Sequence, residues 1–265
     1  MKFKVDHDLH IHSNISLCSL GEDQTPERIL DYAKKNTFHT ICLTDHYWDE
    51  TVDGASPWYQ EQNFEHICKA KPLPQDENVR YLFGCETDLR HDMVLGITKE
   101  HFDLFDFVII PITHMHMRGF TVTDEDLATF ESRANAWVRR FDRLLSMDIP
   151  FHKTGIAHLT CGFIAPEKGQ YLEVIKRIPE STMQKLFTEA AEVGMGIELN
   201  AHAVHFTDDE AELSLLPYRI AKDCGCKFYC GSDSHTVDQF SFVKTRLERA
   251  ADFLGLTEED KFIIS

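Results

Sequence analysis

The chain has 265 residues, 43% hydrophobic and 27% charged, a balance ordinary for a globular protein with one large core. Its 44 acidic and 27 basic side chains leave a net charge of −17, which argues against a broad phosphate-contacting surface for long nucleic acids. No apolar run reaches the ~20 residues that a bilayer crossing needs. The opening MKFKVDHDLH has no apolar core of signal-peptide type, so a cytoplasmic protein without a membrane partner is expected.

Short apolar strands alternate with amphipathic helices. The first strand is expected over 6–11, inside VDHDLHIHSN. Strict alternation there would direct Asp8, His10 and His12 to one face and His7, Leu9 and Ile11 to the other. A His-x-His pair on one face can hold a single metal ion; the alternative is a surface strand with exposed histidines. TPERILDYAKK follows as a helix, with Thr25 as N-cap and Pro26 at its first position. Strands are expected next at 38–43, 80–85 and 106–112.

TDEDLATFESRANAWVRRFDRLLSM reads as one helix opened by a Thr123/Asp126 capping box. A strand at 155–158 and the glycine-terminated helix STMQKLFTEAAEVG come after it, then a strand at 196–199. In EAELSLLPYRIAKDCG, Pro217 marks either a kink or the true helix start, and the last strand is 227–230. The eight cysteines are scattered. Cys42 and Cys85 sit in apolar runs as small buried thiols, and CGCKFYC lacks the second pair of a zinc finger.

Seven strand–helix alternations without a linker-like break suggest one α/β domain over residues 1–265. The turn after the first strand, HSNISLCSLGED, has no phosphate-loop spacing, which favours a closed barrel over an open nucleotide-binding sheet.

Each strand then delivers an ionisable or imidazole group at its C-terminal end, where barrel enzymes place their active sites. These are Asp8, His10 and His12; Asp45 and His46; Glu86; His114 and His116; His158; Glu198, Asn200 and His202; Asp233 and His235. Random placement of 15 histidines would rarely do this. Imidazoles and carboxylates converging on one mouth suit Zn²⁺, Mn²⁺ or Fe²⁺. Glu86, alone on its strand end beside Gly84, is the candidate carboxylate to hold two cations together. A hydroxide bound between such ions is a nucleophile at neutral pH, so no serine or cysteine nucleophile is required.

The ordered set DLHIH, TDH, GCE, ITH, AHL and GSDSH resembles the PHP superfamily of metal-dependent phosphoesterases, which includes histidinol phosphatases. The resemblance runs from residue 8 to residue 235 and implies a distorted (β/α)₇ barrel. It implies that His10 and His12 bind a first ion with Asp233, and that Glu86 bridges to a second held by His114 and His158. His46 and His235 would hold a third. Family members with three ions usually complete that site with a histidine six residues beyond the His-x-His pair; here Cys18 stands there. Its thiolate either serves as a zinc ligand with altered preference or faces away and leaves two ions. The expected cofactors are thus two or three divalent ions.

A phosphate group calls for a cationic partner, and Arg118 in THMHMRGF is the first candidate, ahead of Arg90 and of Lys153 near the start of the fifth strand. His202 and His205 in NAHAVHF are loop histidines able to contact substrate or protonate a leaving oxygen. His116 competes with His114 as ligand. Asp8 and Asp45 are expected to orient imidazoles, and Glu198 and Asn200 to make structural hydrogen bonds or touch substrate. Tyr47, Trp48, Trp58 and Tyr59 form either a substrate wall or rim packing.

These readings converge on a metal-dependent hydrolase of a small phosphorylated metabolite, with histidinol phosphate favoured by the resemblance. His10, His12, Glu86, Asp233 and His205 would be its catalytic residues. The alternatives are a phosphodiesterase or exonuclease-like activity on short nucleotides, and a non-catalytic metal-binding module. An amidohydrolase would often place a metal-bridging lysine on the fourth strand, and FDFVIIPITH has none.

Overall fold

A computed structural model describes residues 1–19 and 21–264. Among them, eight strands pair in parallel within two sheets. The first sheet holds β1 (His7–Ile11), β2 (Thr40–Leu43) and β3 (Arg80–Phe83) in that order. The second runs β4 (Cys85–Glu86), β5 (Val108–Pro111), β6 (Thr154–Ala157), β7 (Gly196–Asn200) and β8 (Lys227–Gly231).

The expected strand at 80–85 is therefore two, split at Gly84. A Cβ there would lie 2.4 Å from the Phe107 carbonyl oxygen and 2.7 Å from Cys42 Sγ, so only glycine allows this close approach. The sheets meet at two seams. At one, the Gly84 N–H donates to the Leu43 carbonyl, the Glu86 N–H donates to that of Asp45, and His46 bridges Glu86. At the other, the Asp233 N–H donates to the His10 carbonyl at 2.7 Å, and Ile11 bridges Ser234.

Every residue of β1 is buried, as a strand covered on both faces requires. Its register is irregular between Asp8 and Ile11, and simple alternation fails there. Leu9 joins a small cluster with Cys42, Leu82, Phe107, Ile109, Ala157, Tyr229 and Phe262, whereas Ile11 joins the larger core into which the helices pack. Asp8 does not accompany the imidazoles of His10 and His12. Its carboxylate accepts the Tyr32 hydroxyl at 2.8 Å and the N–H of Ser232 at 2.8 Å, tying β1 to the first helix and to the end of β8.

The helix Pro26–Asn36 starts at the Thr25 cap, and Glu180–Val193 ends on left-handed Gly194. The long helix expected from Thr123 is instead interrupted. Its capping box closes a single short turn, Asp124–Leu127, and a second box at Thr129 and Ser132 opens Phe130–Leu145. Pro217 sits in the first turn of Leu216–Asp223, so it starts that helix and does not kink it.

Arg140, fully buried on the long helix, donates to the carbonyls of Leu89, Ile112 and Thr121. It thereby clamps the chain segments that follow β4 and β5. No helix among the described residues is long and apolar enough to cross a membrane.

Candidate metal centre

At the C-terminal ends of the strands the Nε2 atoms of His10 and His12 stand 3.2 Å apart. Glu86 Oε2 is 3.4 Å from the first and 3.3 Å from the second, and Asp233 Oδ1 is 3.4 Å from each. The other oxygen of Glu86, Oε1, faces His158 Nε2 at 3.5 Å and His114 Nε2 at 3.7 Å, and is buried without a hydrogen-bond partner. One carboxylate thus divides its oxygens between two histidine pairs. A third group, His12, Cys18, His46 and His235, brings its ligand atoms within 4.8 Å of one another.

The remaining ring nitrogens explain why these Nε2 atoms point inward. His10 Nδ1 lies 2.7 Å from Glu198 Oε1, and His114 Nδ1 lies 3.0 Å from Asp88 Oδ2. His158 Nδ1 lies 2.6 Å from the Thr113 hydroxyl, which also reaches the His158 carbonyl. His235 Nδ1 lies 2.8 Å from the Asp233 carbonyl, an oxygen that can only accept. With Nδ1–H donating, each neutral ring turns its Nε2 lone pair toward the centre. Lone pairs then face carboxylate oxygens inside a buried space, an arrangement that is repulsive until cations or protons lie between them. The donor set fits divalent ions with nitrogen and oxygen preference.

The same conflict governs the proton affinities. Burial pushes the Glu86 and Asp233 carboxyls up, but nearby imidazolium charges outweigh it and hold both well below the usual range. Burial opposes protonation of His10 and His12, yet the surrounding carboxylates raise both, His12 to about 9. In the ion-free protein the carboxylates thus favour protons on His10 and His12, where cations would otherwise balance them. Two residues of the centre carry backbone strain: His158 has φ 30° and Asp233 φ 53°, left-handed values that few non-glycine residues adopt.

Residues 8–202 match the PHP domain family. The chain belongs to the PHP family. It is therefore a metal-dependent phosphoesterase. The matched span carries the histidines and Glu86 from β1 to β6, while Asp233 and His235 lie beyond it and join the centre through the seam between β1 and β8. A search among curated proteins returns no match. Among solved structures, the chain is similar to histidinol phosphate phosphatase from Lactococcus lactis subsp. lactis Il1403, a crystal structure complexed with zinc, L-histidinol and phosphate. The identity is 16%, the TM-score is 0.60, and the match covers 92% of this chain and 93% of that one.

A cavity of about 290 Å³ opens onto the PHP centre, lined by Cys18, His46, Trp58, Glu86, His114, His116, Met117, Phe163, Asp233 and His235. The structure therefore gathers His10, His12, Cys18, His46, Glu86, His114, His158, Asp233 and His235 in one place. His116 stands at the mouth with its ring against Phe163, centroids 4.2 Å apart, and not in the inner donor groups. Of the four aromatics after β2, Trp58 lines the cavity, while Tyr47, Trp48 and Tyr59 are buried and the Tyr59 hydroxyl donates to Asp88.

The expected substrate cations are elsewhere. Arg118 is exposed over 68% of its side chain, pairs with Asp124 and does not line the cavity. Lys153 precedes β6 and donates to the Phe102 and Phe105 carbonyls, at the opposite end of the strand from His158. Arg90 pairs with Asp92. His205 is exposed and outside the cavity lining. His202 is also exposed, edge-on to Phe242, with its backbone N–H on Asn200 Oδ1. Asp45 accepts the N–H and hydroxyl of Ser13, and is 4.0 Å from the nearest His12 nitrogen, too far for a hydrogen bond.

Sequence reading missed Asp88, Thr113 and Phe163. Asp88 had a usable signal: it is two residues beyond Glu86, so an extended backbone returns it to the same side. Thr113 and Phe163 carried none, because each acts on a histidine only through the folded chain.

Proposed function

We propose that this PHP domain hydrolyses a small phosphomonoester, with histidinol phosphate as the first candidate, using two or three divalent ions. The observation that carries this reading is the division of Glu86 between His10 and His12 on one oxygen and His114 and His158 on the other. His10, His12 and Asp233 would hold one ion, His114 and His158 a second, and Glu86 would join them. The bound ions would supply Lewis acidity toward the phosphate oxygens and acidify water in the site.

The chain's own groups do the rest. Glu198, Asp88 and Thr113 fix the imidazoles, and Asn200 donates to Glu198 at 3.2 Å and Asp233 at 3.3 Å, keeping that carboxylate in place. Among the described residues no lysine or arginine lines the cavity, while Glu86 and Asp233 do. A phosphate dianion would be repelled by those carboxylates alone, so its binding depends on the cations. Trp58, Met117 and Phe163 give the organic half an apolar wall, and the cavity size suits a small metabolite.

The two seams support closing the sheets into a distorted barrel that forms one domain across residues 1–265. The L. lactis protein, solved with L-histidinol and phosphate, supports the choice of first substrate.

The test is phosphate release from L-histidinol phosphate by manganese-reconstituted protein, beside an aryl phosphate, with His10→Ala as the blank. Strong preference for histidinol phosphate, lost in the variant, is the expected result. Release from the aryl ester alone would keep the chemistry and discard the substrate. Release from neither, by protein shown to hold metal, would overturn the phosphomonoester reading.

A further inference from the structure

We propose that Cys18, His46 and His235 form a thiolate-containing third cation site that takes zinc or cobalt(II) in preference to manganese; this rests on the reading of the centre as metal-binding. The ligand atoms of these residues and of His12 lie within 4.8 Å of one another. His12 is drawn to the other side, because its Nε2 faces Glu86 at 3.3 Å and Asp233 at 3.4 Å. His235 donates through Nδ1 to the Asp233 carbonyl and keeps its Nε2 lone pair free. His46 lines the cavity, with its Nδ1 3.4 Å from both Glu86 Oε2 and the Tyr59 hydroxyl.

Cys18 differs from the thiols of Cys42 and Cys85, which are packed in apolar core clusters. It lines the cavity beside the two imidazoles. Its loop is built to keep it there. Gln62 Oε1 accepts the Leu17 N–H at 3.1 Å and the Ser16 hydroxyl at 3.3 Å, and His66 Nε2 lies 2.8 Å from the Ile15 carbonyl. Ser13 is held by Asp45, and Ser16 Oγ, whose proton goes to Gln62, lies 3.2 Å from Cys18 Sγ, placed to accept from the thiol.

Two imidazoles and one thiolate make three protein ligands, the number found at zinc sites that keep a position open, and all three line the cavity. A thiolate favours zinc and cobalt over the harder manganese ion. As the sulfur–metal bond forms, the S–H bond breaks and its proton passes to solvent.

The experiment titrates cobalt(II) into the ion-free full-length protein and follows the near-ultraviolet thiolate-to-cobalt charge-transfer band beside the visible ligand-field bands. Wild type is expected to show both. Cys18→Ser and Cys18→His should lose the charge-transfer band and keep ligand-field intensity from the remaining sites, the histidine variant guarding against a folding defect in the serine one. Cys161→Ser controls for the thiol beside His158 and should keep the band. In competition against excess manganese, wild type should hold one zinc per chain more tightly than Cys18→His does. Cobalt bound without a charge-transfer band, a band that follows Cys161, or zinc exchange equal in wild type and Cys18→His would each overturn the third site and leave the Glu86 centre standing. A protein that binds no cobalt would overturn both.

Discussion

Glu198 Oε1 lies 2.7 Å from His10 Nδ1, and its other oxygen accepts the backbone N–H of His158 at 2.7 Å, with all three residues buried. A single carboxylate on β7 therefore fixes the imidazole from β1 and the strained backbone after β6. Replacing it by glutamine keeps the shape and removes the charge. Glu198→Gln is expected to lower metal affinity or turnover by about 10–100-fold, the usual cost of losing a group that orients a ligand histidine. Metal titration and phosphate release check it; unchanged values in both would remove Glu198 from this role.

Gly231 stands behind that contact. A Cβ at this position would come 1.9 Å from Glu198 Oε1 and 2.7 Å from His10 Cβ, and neither is a free surface group. Gly231→Ala should cost about 1–3 kcal/mol of stability and weaken metal binding by displacing Glu198. Thermal denaturation with and without metal separates the two effects; a wild-type melting point and metal content would refute the close-packing argument.

Glu86→Gln should reduce metal content and lower phosphate release by orders of magnitude, because one neutral amide cannot present two anionic oxygens to two ions. Arg118→Ala should leave KM and turnover unchanged, since that side chain pairs with Asp124 outside the cavity. A raised KM for a phosphomonoester would bring Arg118 back as a substrate contact.

The pH dependence has a defined sign. In the ion-free protein His12 is raised from 6.5 to about 9, as Asp233 and Glu86 outweigh its burial. Its contribution to ion-free stability is complete below about pH 6.5 and disappears as pH rises to about 9. Cations need the deprotonated ring, so they compete with that proton. The rise in melting temperature on adding metal should grow across this window, and calorimetry on both forms measures it. A rise independent of pH would show that His12 exchanges no proton for metal.

Arg140 ties together the segments that follow β4 and β5. Arg140→Leu would leave the carbonyls of Leu89, Ile112 and Thr121 unpaired in a buried place, at about 1–3 kcal/mol for each group. Chemical denaturation should show a loss of at least the lower figure. Wild-type stability would mean that these carbonyls find other partners.

The donor positions were legible from sequence because a parallel α/β chain presents strand ends at one mouth, and His10, Glu86, His114, His158 and Asp233 all fall at such ends. The placement of the cationic side chains was not. Arg118 and Lys153 were chosen for nearness in sequence to a ligand, but a loop turns one toward Asp124 and the strand's length carries the other to the opposite end. Alternation along β1 failed for a local reason, its irregular register, which no periodicity reports.

By itself the sequence determined which imidazole and carboxylate side chains would lie at the strand ends and face one mouth, since strand spacing and residue type are local properties. Only the tertiary structure decided which oxygen of Glu86 serves which histidines, which ring nitrogen each imidazole turns inward, and that Cys18 joins His46 and His235. Those choices depend on Glu198, Asp88, Thr113 and Gln62, residues far along the chain from the groups they hold. Hydrogen-bond direction between distant segments is fixed by packing, and sequence spacing carries no record of it.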